Sequence, residues 1–183
     1  MARVEVPVSR GTADVVIAVF NDYQCSSCSV FHRTMEQAIE RLSGEERTRV
    51  VWRMVDFPLD GSCNPSIKSA RHESACEAAI AARLARLFGR EREFSSWLFD
   101  HADALTTEAI WLRAESLGIK RTSVAYETAL GQVRSDVAIG LELGVKATPT
   151  IFINGARFHG SPDLEALLVV VRHELATVPS RRK

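Results

Sequence analysis

Residues 20–35 read FNDYQCSSCSVFHRTM, and the fold turns on how Cys25 and Cys28 are read within them. The two cysteines stand three positions apart, where an apolar run ends and a helical pattern begins. Upstream, residues 15–20 (VVIAVF) are continuously apolar and β-branched, the mark of a strand buried on both faces. Downstream, Val30, Phe31, Met35, Ala38, Ile39 and Leu42 recur at helical spacing across residues 26–42, and Gly44 follows the end. Residues 49–57 (RVVWRMVDF) have the composition of a second strand, stopped by Pro58. Strand, helix and strand make a β-α-β unit with an expected right-handed crossover. Cys25 therefore falls at the junction of strand and helix.

Working outward, residues 4–8 suggest an edge strand ahead of this unit. From residue 65 to 144 the pattern is helical. A first helix is expected over 66–88, with Cys76, Ile80, Leu84 and Leu87 on one stripe of an Ala-rich segment. Shorter helices are expected over 92–104, 107–117, 123–130 and 135–143, separated by Gly118, Gly131 and Gly144. The β pattern returns at 150–153 (TIFI), followed by Asn154-Gly155 and residues 156–159, a strong hairpin signal. A last helix over 162–175 takes Ser161 as its N-cap and Pro162 in its first turn. Residues 178–183 (VPSRRK) read as a frayed end or linker stub. The expected class is α/β, a single domain over 1–183. Its parts are a β-α-β unit (1–64), a helical insertion (65–144) and a β-β-α unit (145–178).

At 183 residues the chain can bury a core without staples, so its four cysteines point to redox or metal chemistry more than to a disulfide scaffold. Lys plus Arg balances Asp plus Glu at 23 each, which argues against nucleic acid as a partner. The run at 15–20 is far short of the roughly 20 residues of a membrane span. The first residues lack an apolar signal region, which suits a cytosolic chain or a mature domain cut from an exported precursor.

A thiol is a nucleophile only as thiolate, and the amides and dipole at a helix N-terminus stabilise that anion. Cys25 stands at that point, and Cys28, one turn on, is placed to resolve a mixed disulfide formed at Cys25. The alternatives are a zinc site of Cys25, Cys28, Cys63 and Cys76, or an inert buried pair. Against zinc, such sites usually use two short-spaced pairs, whereas Asn64 to Ala75 separate the second two cysteines.

A second signal is GVKATPTIFING at 144–155. With the apolar strand running into FNDYQCSSC and the helices between, the chain resembles the thioredoxin superfamily, and more closely its DsbA-like branch. The resemblance covers nearly the whole chain. It implies a thioredoxin fold, a central mixed sheet flanked by helices with an inserted helical subdomain. It also implies a cis Thr148-Pro149 bond beside Cys25, with the Thr148 backbone pairing an extended substrate. A trans proline before an edge strand is the bland alternative. Two departures stand out. Ser26 and Ser27 replace the Pro or His often found between the cysteines, so no positive charge is supplied there and a potential less oxidising than the about −120 mV of DsbA is expected. The carboxylate often kept six residues before the first cysteine is Val19 here. Asp22 is the candidate proton relay, with an N-cap or solvated turn residue as its plainer role.

The run FPLD (57–60), CNP (63–65) and RHESAC (71–76) resembles one in DsbA-like domains fused or paired with vitamin K epoxide reductase homologues. It suggests a second disulfide, Cys63–Cys76, either structural or relaying electrons to the first pair. His32, two turns after Cys25, reads as a surface or helix-flank residue. His72, His101, His159 and His173 show no spacing of a catalytic dyad, and Glu36 and Glu40 read as solvated.

The resemblance implies a protein dithiol-disulfide oxidoreductase with no cofactor and no metal, catalysing through Cys25 and Cys28 with Thr148 and Pro149 at the substrate. The branch implies an oxidase acting on cysteine-containing proteins in an extracytoplasmic setting, periplasmic or membrane-tethered. A membrane partner of the DsbB or vitamin K epoxide reductase type would recharge it. A reductase or isomerase is the nearest alternative, although no dimerisation element for an isomerase is evident. A non-catalytic module holding peptides in the cis-proline groove is the rival from another class.

Overall fold

The structure, a computed structural model, describes residues 3–68, 71–158 and 160–177. The strand read at VVIAVF is β1 (Val15–Asn21), every residue of which is buried. The chain then forms α1 (Ser26–Arg41), the short α2 (Gly44–Thr48) and β2 (Val50–Asp56). β2 lies parallel to β1, as a β-α-β unit requires. The helices α3 (Ala75–Leu87), α4 (Glu91–Asp100), α5 (Thr107–Ser116) and α6 (Ser123–Glu142) follow. The chain returns to the sheet with β3 (Thr150–Ile153) and β4 (Ala156–Phe158), and ends in α7 (Leu164–Thr177). The strand order is β2-β1-β3-β4, with β3 antiparallel to both β1 and β4. This is the expected mixed sheet flanked by helices, with a helical insertion.

The alternation of β1 sends its side chains to two cores. Val15, Ile17 and Val19 meet Phe31, Met35 and Ala38 of α1 and Leu167, Leu168 and Val171 of α7. Ala18 and Phe20 face the opposite way, onto Phe57, Val137 and Phe152. A third cluster forms where the small side chains of α3 let α4, α5 and α6 approach, and it includes Tyr23, Cys28, Cys63 and Cys76. α6 lies so close to the β2 end that a Cβ on Gly140 would come within 2.6 Å of the Phe57 ring. Asn154 and Gly155 both have positive φ (46° and 79°), as the tight turn between β3 and β4 demands.

Several local expectations are corrected. Residues 4–8 form no strand; one bridge, Arg3 to Ala156, and a bond from Val4 N–H to Gly155 O hold this segment, and Pro7 lacks the donor a ladder needs. α3 starts at Ala75, not 66, because Asn64 Oδ1 accepts from both the Ser66 amide and hydroxyl and holds a turn there. Leu87 is exposed rather than on the buried stripe of α3, and Val30 is likewise exposed on α1. The two helices expected over 123–130 and 135–143 are one, since Ala129, Val133, Val137 and Gly140 continue a buried stripe past the exposed Gly131. Asp163, not Ser161, caps α7, its Oδ1 accepting from Ala166 N–H at 2.8 Å. His159, expected at the end of the last strand, and the tail 178–183 lie outside the described residues.

Candidate active site at the start of α1

Cys25 is the N-cap of α1, with extended backbone angles, and no side chain caps the helix or places an acid in its first turn. The amides of that turn are therefore left to whatever anion stands in front of them. Cys25 is half-buried, Ser26 and Ser27 are exposed, and Cys28 at the third helical position is buried at 2% exposure. Both cysteines are thiols.

The environment splits the two thiols apart. Hydrogen bonding from the Cys28 thiol is the largest influence on Cys25, aided by the Thr148 side chain and the Cys28 amide; together they outweigh burial and the nearby Asp22 and pull Cys25 down to about 6. Burial, then the thiolate next door, pushes Cys28 far above the ordinary thiol range. A half-exposed thiolate beside a buried thiol is the division of labour that disulfide exchange needs.

The second expected element lies opposite. Thr148-Pro149 is a cis peptide bond, and the Cys25 thiol donates to the Thr148 carbonyl at 3.5 Å. The Thr148 hydroxyl is buried with no hydrogen-bond partner among the described residues, so its proton is free to turn to a Cys25 thiolate. Thr148 and Pro149 are both half-buried and thus open on one side. A cavity of about 760 Å³ lies elsewhere, between α1, β2 and α4, and Cys25 does not line it.

Asp22 is a completely buried carboxylate, not a solvated turn residue. Its Oδ1 accepts from Gln24 N–H at 2.7 Å, and its Oδ2 accepts from Leu59 N–H at 2.7 Å. The same Oδ2 lies 2.8 Å from His72 Nδ1. This dyad escaped the sequence reading, which found no such spacing for His72. Hydrogen bonding to Asp22 is the main reason the His72 ring is shifted upward from its ordinary value, and the Cys25 charge acts in the same direction. The one sequence signal was the presence of His72 in RHESAC beside a cysteine.

His32 is a correction of another kind. It is 6% exposed, not a surface residue, and its ring lies 4.5 Å from that of Phe99 and 5.0 Å from that of Trp52. Burial pulls it down to about 4, so it is neutral at ordinary pH. It packs the flank of α1.

Cys63 and Cys76 are joined by a disulfide with Cα atoms 6.0 Å apart, and both are buried. A four-cysteine zinc site needs all four sulfurs as thiolates, and here two of them are bonded to each other. Asp60 organises the bridge, its Oδ2 accepting from Cys76 N–H and its Oδ1 from Ser62.

The fold sets two thiols of unequal character at an uncapped helix start, an arrangement suited to disulfide exchange. The chain belongs to the thioredoxin family: the family model described as Thioredoxin (Thioredoxin_4) matches residues 8–172. Its fold is DsbA-like. A periplasmic thioredoxin-like protein from Salmonella enterica serovar Typhimurium superposes with a TM-score of 0.72 at 18% identity, covering 93% of this chain and 89% of that one. Wolbachia pipientis alpha-DsbA1 gives 0.70 at 17% identity, over 90% of this chain and 87% of that one. In sequence, the chain is 28% identical over 165 residues to the Na(+)/H(+) antiporter NhaA 1 of Mycolicibacterium vanbaalenii, a match covering 87% of this chain. The chain spans about a quarter of the length of the curated relatives it matches.

Proposed function

We propose that the protein is a DsbA-like oxidase that donates the Cys25–Cys28 disulfide to cysteine-containing proteins. The observation that carries this reading is the unequal thiol pair at the uncapped start of α1, with Cys25 pulled down to about 6 and Cys28 buried. A low thiol value favours the reduced form of the pair, and a pair that is stable reduced is a good oxidant.

In the first step a substrate thiolate attacks Cys25 Sγ of the disulfide and Cys28 leaves. The substrate's second thiolate then attacks its own sulfur in the mixed disulfide, and Cys25 leaves as thiolate. Overall, a substrate dithiol gives up two electrons and two protons; Cys28 keeps one proton and the other is released. The amides at the start of α1 and the Thr148 hydroxyl stabilise the departing Cys25 anion. Thr148 and the cis Pro149 would align the substrate backbone beside Cys25 as an added strand.

The likeness to a protein described as periplasmic supports an extracytoplasmic setting. A membrane partner of the DsbB or vitamin K epoxide reductase type would reoxidise the pair. No helix among the described residues is long and apolar enough to cross a membrane.

The test is oxidative refolding of a reduced, unfolded disulfide protein by stoichiometric oxidised enzyme, run beside insulin reduction with dithiothreitol. Rapid oxidation with weak insulin reduction supports the oxidase. Strong insulin reduction with negligible oxidation would make it a reductase. Peptide binding with no exchange would make it a binding module.

A further inference from the structure

The Cys63–Cys76 bridge closes a loop that folds back onto the three residues before Cys25. His72 of that loop meets Asp22, and the Ser74 amide donates to Gln24 Oε1 at 2.7 Å. Gln24 is also anchored by donating to the Leu105 carbonyl at 3.2 Å. Asp22 in turn shapes the approach to the helix, for its carbonyl accepts the Cys25 amide at 3.2 Å. A buried carboxylate is thus built into the turn that presents the reactive thiol. By itself that carboxylate opposes a thiolate at Cys25. The dipeptide between the cysteines, Ser26-Ser27, has no charge to offset it, and neither does the first turn of α1.

We propose that His72 is a positioning residue for disulfide exchange, the cation that the bridged loop places on Asp22 so that the carboxylate does not suppress the Cys25 thiolate. The inference rests on the oxidoreductase reading above. It also gives the second disulfide a function that is neither inert nor electron-relaying: it holds the loop that carries the cation. His72 suits the part because its side chain is 24% exposed, whereas that of Asp22 is completely buried, so the ring exchanges protons with solvent on behalf of a group that cannot. The charged groups acting on the ring are Asp22, Cys25 and the adjacent Arg71; Asp22 and Cys25 favour the imidazolium and Arg71 opposes it. On Cys25 the Cys28 thiol and amide and the Thr148 hydroxyl act as hydrogen-bond donors, and Asp22 acts as the opposing charge.

Linkage makes the proposal testable without a mutation. If the imidazolium favours the thiolate, the thiolate must favour the imidazolium to the same extent. His72 in the wild-type protein would then titrate at higher pH when Cys25–Cys28 is reduced than when it is oxidised, read from its ring proton resonances. Equal titration in the two states overturns the proposal. Variants supply the second readout, the thiolate absorbance of Cys25 against pH together with the equilibrium constant against glutathione. His72→Gln is expected to move the Cys25 midpoint upward and make the protein a weaker oxidant by about tenfold, the scale of one nearby unit charge in a partly solvated site. Asp22→Asn is expected to move the midpoint downward, and the double variant to return near wild type. His72→Lys, which keeps the cation, is expected to restore the midpoint. Single variants that shift it in the same direction would reveal loosened packing and overturn the charge argument. A wild-type protein that forms no Cys25–Cys28 disulfide and exchanges with nothing would instead sink the oxidoreductase reading, and this inference with it.

Discussion

Each cysteine pair sets one sulfur at the front of a helix and a second one close by, yet the two starts are built oppositely. At α1 nothing caps the helix from a side chain and no acid occupies the first turn, so the free amides face Cys25. At α3 the Asp60 carboxylate already accepts the Cys76 amide, and Glu77 stands in the first turn. The first arrangement leaves the helix field to a thiolate; the second spends it on a carboxylate. Exposure follows the same division. Cys25 is half-open, whereas Cys63 and Cys76 are 4% and 3% exposed. Both pairs nonetheless share one core cluster with Tyr23, so reactivity here is decided by the cap and by solvent access, not by the company of apolar side chains.

Breaking each pair should therefore have unlike consequences. Cys25→Ala should abolish disulfide exchange with a folded protein as the product, checked by insulin reduction and circular dichroism. Cys28→Ser should leave Cys25 able to attack but unable to release, so mixed disulfides accumulate on non-reducing gels. Cys63→Ser/Cys76→Ser should act mainly on stability, lowering it by about 3 kcal/mol for a loop of this size, as read by urea denaturation. In that variant exchange at Cys25 should persist, weakened only as far as the loop that carries His72 loosens; a folded double variant that keeps the His72–Asp22 contact yet no longer turns over would mean the second pair relays electrons.

The pH dependence sharpens the contrast within the first pair. Cys25, lowered to about 6, should react with iodoacetamide at a rate that rises through pH 6 and is nearly level by pH 7 to 8, where an ordinary thiol is still climbing. The sign for stability follows: an acid depressed on folding adds stability to the reduced protein above its unfolded value of about 8.5, and loses it as pH falls through about 6. Thr148→Val, which removes the unpartnered hydroxyl, should raise the alkylation midpoint above that of wild type. The smallest expected change is at the closed pair. Asp60→Asn, which weakens the acceptor of Cys76 and Ser62, should cost about 1–3 kcal/mol in urea and leave the Cys25 midpoint where it was.

The open site was legible in the sequence because its signals are local. A buried strand, a helix start, two cysteines one turn apart and a Thr-Pro before TIFI each declare themselves within a few residues. The Asn-Gly hairpin was legible for the same reason. What was not legible depends on distant contacts. His72 reaches Asp22 across 50 residues, only because the bridged loop folds back, and no periodicity marks that encounter. His32 looked like a flank residue because helix spacing alone does not reveal Trp52 and Phe99 closing over it. The late start of α3 was hidden by an Ala-rich composition that favours helix, against which the Asn64 turn prevailed. Gly131 read as a break because propensity was weighed without the buried stripe that carries α6 through it.

The most direct measurement is a redox titration in glutathione and dithiothreitol buffers, with each cysteine followed by differential alkylation and peptide mass spectrometry. The account predicts that Cys25–Cys28 reaches its midpoint above about −200 mV while Cys63–Cys76 stays oxidised to below about −300 mV. Two pairs that titrate together, or a first pair at the about −270 mV of thioredoxin, would contradict it.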